Sequence, residues 1–331
     1  MERTARIDGC VVIGRNEGKR LQTCLKSVGR NADWVVYTDS GSYDGSPGMA
    51  RAMGVHTVEL DAFTPFTAAR GRNTGLERLL TICPSAETVQ FVDGDCELFD
   101  SWFEQARGTL EKRPDVAAVF GRLRERHPEQ SLYNRLCDME WNTPVGEAAA
   151  CGGIAMMRVR ALRECGGFDE GLIAGEEPEL CFRLRQKGLT ILRIDADMGW
   201  HDAAMTRFAQ WWKRSVRTGH AYAECSRRVG ESGERFWVRE TRSVGFWGLL
   251  LPATAVLLAG PTALWSLGLL AAYPALAART YRFARRRGFT RADSALYALF
   301  CTLGKFPQAW GALTYRTGTI TGQHRRLIEY K

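Results

Sequence analysis

The sequence contains no Cys-x-x-Cys pair although it has ten cysteines, and no Gly-x-Gly-x-x-Gly follows its first strand-like run. The first absence, with cysteines scattered from Cys10 to Cys301, argues against a disulfide framework. The thiols are expected to be reduced and buried in a cytosolic setting. The second absence counts against a nicotinamide or flavin dinucleotide fold. The opening stretch MERTARIDGCVVIGRNEG has no apolar core ahead of the first strand-like run, so no cleavable signal peptide is expected and the N-terminal domain should stay in the cytosol. Internal repeats and low-complexity tracts are also lacking. Charge is missing from one long segment, the 36 positions from Ser243 to Ala278.

The 331 residues, 45% hydrophobic and 25% charged, sit near the globular average and suffice for one large α/β domain with an appendage. The uncharged segment would run ~54 Å as one helix, too long for a hydrocarbon core of roughly 30 Å and slightly too short for two full spans of ~20 residues with a turn. Pro252, Pro261 and Pro274 suggest a broken element. Arg235, Arg239 and Arg242 precede it, and Arg279, Arg282, Arg285, Arg286, Arg287 and Arg291 follow it. Basic residues on both flanks favour two cytoplasmic ends, hence a membrane hairpin or re-entrant pair rather than a single crossing. The alternative is a helical hairpin buried within a soluble protein.

The first 115 residues alternate between β-branched runs and helix-like stretches. CVVIG (10–14), WVVYTD (34–39), HTVEL and TVQFVDGD (88–95) read as strands. GKRLQTCLKSV, PGMARAMG and the stretch following Ala69–Asn73 read as helices. This alternation predicts a parallel, doubly wound sheet flanked by helices, with its ligand site at the strand C-termini. From Val116 the pattern changes to VAAVFGRLRER, a Cys-Gly-Gly turn, a GGF turn and a short helix from Glu177. Gln210–Glu224 reads as a basic, Trp-bearing amphipathic helix suited to a membrane surface, and 294–316 as a second interfacial or short membrane helix broken at Pro307. The expected divisions are 1–115 and 116–206 as two halves of one domain, 207–242 as interfacial helix and linker, and 243–331 as membrane hairpin and C-terminal helices.

Asp93-Gly94-Asp95 is the strongest constellation. An apolar strand delivers two carboxylates into the crevice, where hard cations such as Mg²⁺ or Mn²⁺ take carboxylate, diphosphate and water oxygens and neutralise a departing nucleoside diphosphate. Asp39, Ser42, Asp44 and Gly45 form either an Asx-rich turn or, with Arg15-Asn16-Glu17, one wall of a nucleotide pocket. Arg70 and Arg72 are either surface arginines ahead of a helix or bidentate partners for phosphate and base edges. Glu176-Glu177 either answers a helix dipole or turns a general base toward the crevice. His201, in Trp-His-Asp after ILRIDA, is either structural, a metal ligand or a diphosphate contact.

In this order the motifs VVIGRNEGKRLQTCLKSV, YTDSGSYDGS, AARGRNTGL, FVDGDCEL, CGGIAMMRVRALRECGGFDE, AGEEPELCFRLRQKG and QWWKRSVRTG resemble the family 2 glycosyltransferases of GT-A fold, in particular their bacterial membrane-associated members, over residues 10–220. The resemblance implies inverting transfer of a sugar from a nucleotide donor, such as a UDP- or GDP-sugar, to an acceptor hydroxyl. It places Arg15, Asn16, Glu17, Asp39, Ser42, Arg70, Arg72 and Asp93 around the donor. Asp95 with Asp93 and His201 would lie around the metal, and Gly152, Gly153, Trp211 and Arg214 on the acceptor side. Glu177 stands where the family has the aspartate of a Glu-Asp pair, with Glu176 as the other candidate base. QWWKR departs from the Gln-x-x-Arg-Trp motif of processive synthases, which implies single-sugar addition to a lipid-linked acceptor. A nucleotidyltransferase would need a lysine-bearing phosphate loop for which GRNEGKR is a weak example. A non-enzymatic membrane scaffold would not need to keep the acids. The arginines gather around the apolar segment, pointing to lipid rather than nucleic acid.

Overall fold

The computed structural model describes residues 7–321. Its first part runs β1 (Ile7–Gly14), α1 (Lys19–Gly29), β2 (Ala32–Asp39), α2 (Ser46–Ala52), β3 (His56–Glu59), α3 (Ala68–Ile82), β4 (Thr88–Asp93), β5 (Cys96–Leu98), α4 (Asp100–Lys112), β6 (Val116–Glu125), α5 (Leu132–Trp141), β7 (Gly146–Glu147), β8 (Ala155–Arg158), α6 (Val159–Cys165), α7 (Glu176–Gln186) and β9 (Thr190–His201). All the strands join one sheet in the order β3-β2-β1-β4-β8-β6-β9-β5, with β7 on β9. The β3–β2–β1–β4 half is parallel as the alternation predicts, and β6 is parallel to β9. β8 runs antiparallel to β4 and β6, so the sheet is mixed rather than wholly parallel.

The central strands are apolar on both faces because helices cover both sides. Val11, Val12, Val89 and Val92 are fully buried. β2 and β4 flank β1, and the chain crosses over in opposite directions on its two sides, so a crevice opens at the C-terminal ends of these strands. Gly94 N donates to Ile13 O at 2.8 Å and ties the loop after β4 to the end of β1.

The chain forms two compact units, one of residues up to Pro128 with Glu140–Ala204, the other of Glu129–Met139 with Met205 onward. The expected halves 1–115 and 116–206 thus share a sheet through β6, β8 and β9. The second unit adds α8 (Phe208–Val229), α9 (Val238–Gly245), a π-helical turn (Phe246–Leu250), α10 (Leu251–Leu257), a 3₁₀ stretch (Trp265–Ala271), α11 (Ala272–Arg286), α12 (Arg291–Leu303) and α13 (Lys305–Thr321). Helices α8 and α13 approach at glycines. A Cβ on Gly219 would stand 1.9 Å from Gln308 O, and one on Gly311 2.0 Å from Val216 O. Any side chain would force the two helices apart.

Two expectations change here. No described helix is long and apolar enough to cross a membrane, so the expected spanning hairpin has no transmembrane helix to form it. The uncharged segment is broken as its prolines suggest: α10 is only seven residues and starts around Pro252, and Pro261 lies in the turn that follows. In the later segment the break falls at Gly304, and Pro307 sits in the first turn of α13, where a missing N–H costs nothing. The ends of the expected 1–115 and 243–331 ranges, residues 1–6 and 322–331, lie outside the described residues.

Candidate active site

The loops after β1 and β2 are stitched together. Asn16, in the left-handed region at φ 57, donates its N–H to Ser42 Oγ (2.8 Å), and its Oδ1 accepts from Tyr43 N (2.9 Å). Asp39 is saturated by its own loop. Oδ2 accepts from the Gly41 and Ser42 amides at 2.9 and 2.7 Å, and Oδ1 from the Ser42 and Tyr37 hydroxyls, each at 2.6 Å. Burial, reinforced by this carboxylate, pushes the Tyr37 phenol well above its ordinary range. Glu17 pairs with Arg20 at 2.7 Å, and the Arg15 guanidinium lies 5.5 Å over the Phe66 ring. The Asp39 segment is an Asx-rich turn, hydrogen-bonded to the loop that carries Asn16.

Arg70 and Arg72 are not in a loop ahead of a helix but in the first turns of α3, which begins at Ala68 because the Thr67 hydroxyl caps it by accepting from Arg70 N at 3.1 Å. Two residues apart on the helix, they point to different partners. Arg70 donates to the carbonyls of Asp61 (3.0 Å) and Thr64 (2.8 Å) and pairs with the Asp61 carboxylate, clamping the loop that carries Phe63 and Phe66. Arg72 is buried among three acids: Nη1 lies 2.9 Å from Glu176 Oε1, and Nη2 lies 3.0 Å from both Asp93 Oδ1 and Glu177 Oε1. Its guanidinium also lies 5.6 Å over Phe168. Burial works against its charge, but Glu177, Asp93 and Glu176 outweigh that and hold it protonated.

Glu176 and Glu177 open α7 after Gly175, whose φ of 88 needs a residue without a Cβ. Their side chains differ in access, 4% exposed for Glu176 and 16% for Glu177. Burial, then the neighbouring Glu176 charge, pushes the Glu177 carboxyl up to about 7 against the pull of Arg72. The Cys-Gly-Gly turn lies directly on this cluster. A Cβ on Gly153 would meet Arg72 Nη2 at 2.3 Å, Glu177 Oε1 at 2.9 Å and Asp93 Oδ2 at 3.1 Å, whereas one on Gly152 would meet nothing within 4 Å.

The expected metal set divides. Asp93 faces Arg72, while Asp95 comes together with His201 on the end of β9 and with Cys96, their ligand atoms within 4.8 Å of one another. His201 Nε2 stands 3.4 Å from Asp95 Oδ2, and its buried Nδ1 has no hydrogen-bond partner, with Glu125 Oε2 3.8 Å away. Trp141 packs edge-on against the imidazole at 4.4 Å. Burial drives the Cys96 thiol far above its usual range, leaving Asp95 and His201 as the ready donors. A carboxylate and an imidazole brought side by side are a donor pair that suits a divalent ion such as Mn²⁺. Beside Asp95 a cavity of about 170 Å³ is lined by Lys19, Arg20, Arg126 and Asp202 among others.

Cys96, Lys19 and Arg20 stand inside motifs and Glu125 and Arg126 in VAAVFGRLRER, yet sequence reasoning gives none of them a role at the site, nor Trp141. Only the acid at the end of VAAVFGRLRE offers a signal, for Glu125. Trp211 and Arg214 lie on α8 in the second unit, where Trp211 is packed edge-on against Phe300 at 4.9 Å.

The Glycosyl transferase family 2 model matches residues 10–166. A TPR repeat-containing protein of Synechococcus elongatus is 26% identical over 140 residues, 42% of this chain; the match spans 32%, about a third, of that protein. Among solved structures, a mannosyltransferase from Pyrobaculum calidifontis in complex with GDP-Man and Mn²⁺ superposes with a TM-score of 0.58 at 20% identity, covering 95% of this chain and 88% of its own. Residues 1–349 of S. aureus TarS give 0.52 at 13% identity, covering 97% and 93%. At these identities the two structures share the fold, a mostly parallel α/β sheet of GT-A type.

Proposed function

Since residues 10–166 are a family 2 glycosyltransferase domain on a GT-A-type sheet, we propose that the chain transfers a sugar from a nucleotide-diphosphate donor to an acceptor hydroxyl with inversion at the anomeric carbon. The observation that carries the mechanism is the Arg72 cluster. It gathers acids from β4 and from the start of α7 on one guanidinium and leaves Glu177 as the more accessible of the two glutamates. A carboxyl held up to about 7 is matched to taking a hydroxyl proton near neutral pH. Glu177 is the base; Glu176 is the buried anchor that fixes Arg72, and Arg72 fixes Glu177.

The loops of Arg15, Asn16, Glu17, Asp39 and Ser42 form the nucleoside wall. The complex of the Pyrobaculum mannosyltransferase with GDP-Man and Mn²⁺ supports a nucleotide-sugar donor and a divalent cation. Asp95 and His201 would hold Mg²⁺ or Mn²⁺, with Asp93 alongside, and the ion when bound offsets the charge of the leaving diphosphate. Arg20, Lys19 and Arg126 add positive charge in the adjoining cavity. No covalent sugar–enzyme intermediate is needed: Glu177 removes the acceptor proton as the acceptor oxygen bonds to the anomeric carbon and the nucleoside diphosphate leaves from the opposite face of that carbon in one step.

The acceptor is lipid-linked and the enzyme works without processive elongation at the cytoplasmic face of a bacterial inner membrane. The arginine-flanked uncharged segment and the departure of QWWKR from the processive motif support this. Thermal stabilisation by UDP, GDP, TDP and CMP, each with and without Mn²⁺, tests the donor site. Mn²⁺-dependent stabilisation by one diphosphate, lost in Asp95→Ala, is expected. If no nucleotide stabilises the wild type, the donor assignment is lost.

A further inference from the structure

The second unit carries an apolar surface that its own fold leaves uncovered. Between Phe246 and Leu270, Leu250 is 59% exposed, Val256 64%, Leu257 76%, Leu264 64% and Trp265 86%. Single exposed apolar residues are ordinary; this many within one short hairpin, with no charge among them, mark an interaction site.

The polar groups of the same hairpin are answered internally. Thr262 Oγ1 donates to Leu258 O (2.6 Å), Ser266 N donates to Thr262 Oγ1 (3.1 Å), Ser266 Oγ donates to Ala255 O (2.7 Å) and Tyr273 OH donates to Trp247 O (2.5 Å). A tip that satisfies the Thr262 and Ser266 hydroxyls by itself and turns leucine, valine and tryptophan side chains outward suits surroundings that offer few hydrogen bonds. Charge then returns abruptly. The last two turns of α11 bear Arg279, Arg282, Arg285 and Arg286, all exposed.

We propose that residues 246–270 insert as a non-crossing wedge into one leaflet of an anionic bilayer, with the α11 arginines seated among the headgroups. α10 is seven residues, ~10 Å long, against a hydrocarbon core of roughly 30 Å, so the hairpin reaches interfacial depth and no further. The order of hydrocarbon tip and guanidinium collar matches the order of acyl chain and anionic headgroup. This deepens the membrane-side part of the proposed function and rests on it only for the acceptor. Bilayer binding needs neither donor nor acceptor.

The test is flotation of the full chain with vesicles of phosphatidylcholine alone and of phosphatidylcholine with about one third phosphatidylglycerol. Wild type should float with the anionic vesicles and do so less at high salt. Leu257→Glu with Trp265→Glu should reduce flotation roughly tenfold or more on both vesicle types, whereas Arg282→Glu with Arg285→Glu should abolish only the preference for anionic lipid. Trp265→Ser is the milder variant should the double glutamate fail to fold. Nucleotide-dependent stabilisation in the same variants reports the donor site separately, so loss of one reading is distinguishable from loss of the other. Failure of the wild type to float with either vesicle overturns the proposal. So does a detergent-free dimer in light scattering that Trp265→Ser converts to monomer, which would assign the face to a second copy.

Discussion

The Arg72 cluster and the 246–270 hairpin solve opposite problems. In the crevice, ionisable groups are taken out of water and each is answered: three carboxylates share one guanidinium, and the protein holds the charges in place at the cost of raising Glu177. On the hairpin, polar groups are satisfied locally and it is hydrocarbon that stays unanswered, with Trp265 86% exposed. The difference teaches where to look for what each region lacks. The crevice holds a carboxyl fitted to take a proton, and the hairpin is short of an apolar solvent.

The contrast breaks most visibly at Glu177. Glu177→Gln keeps size and hydrogen bonding but cannot accept a proton, so kcat should fall by about 10²–10⁴ while Mn²⁺-dependent nucleotide stabilisation stays within error of wild type. Equal loss of nucleotide binding would demote Glu177 from base to structural acid. Arg72→Ala removes a partner shared by Asp93, Glu176 and Glu177, and leaving the two largely buried glutamates without it should destabilise the chain by about 3–5 kcal/mol in urea unfolding. Arg72→Lys should recover part of that stability but less of the activity, because one ammonium cannot hold three acids in a planar fork.

The pH dependence follows with its sign. Glu177 is raised from 4.5 to about 7, so activity should rise as pH climbs through about 7 and the carboxylate forms. Stability runs the other way. Between 4.5 and about 7 the folded chain binds this proton more tightly than the unfolded one, so this group's contribution is lost as pH rises through the folded value. Glu177→Gln should therefore melt higher than wild type at pH 8, with the gap closing toward pH 5. A gap independent of pH would show that the glutamate is not the strained group.

What could be read in advance divides along similar lines. The sheet was legible because β1, β2 and β4 are continuous apolar runs ending in polar loops, and Asp93-Gly94-Asp95 sits at one such end. The start of α3 was not: Gly71 and the two arginines look like a loop until the Thr67 cap is seen to gather Arg70 and Arg72 into a helix. Arg72 lies 104 residues from Glu176 in sequence, and no local pattern records that pairing. His201 was legible as a candidate, but Cys96 and Glu125 were not, since their roles come from β5 and β6 both pairing with β9. The uncharged segment was legible in length and in its proline breaks. Its division into π, α and 3₁₀ pieces arises from packing that composition does not encode.

The smallest effects compare two neighbouring glycines. Gly153→Ala places a methyl 2.3 Å from Arg72 Nη2, and that guanidinium cannot step aside without releasing Glu177 and Asp93. Activity should drop about tenfold, with a stability loss on the order of 1–3 kcal/mol from overpacking. Gly152→Ala meets nothing within 4 Å and should change stability by no more than about 0.5 kcal/mol. If Gly152→Ala nonetheless lowers kcat/KM while leaving the melting temperature and nucleotide stabilisation unchanged, the open space over Gly152 is where the acceptor passes. If both glycines tolerate alanine in activity, the Cys-Gly-Gly turn does not press on the Arg72 cluster during turnover, and the acid cluster must rearrange before the proton moves.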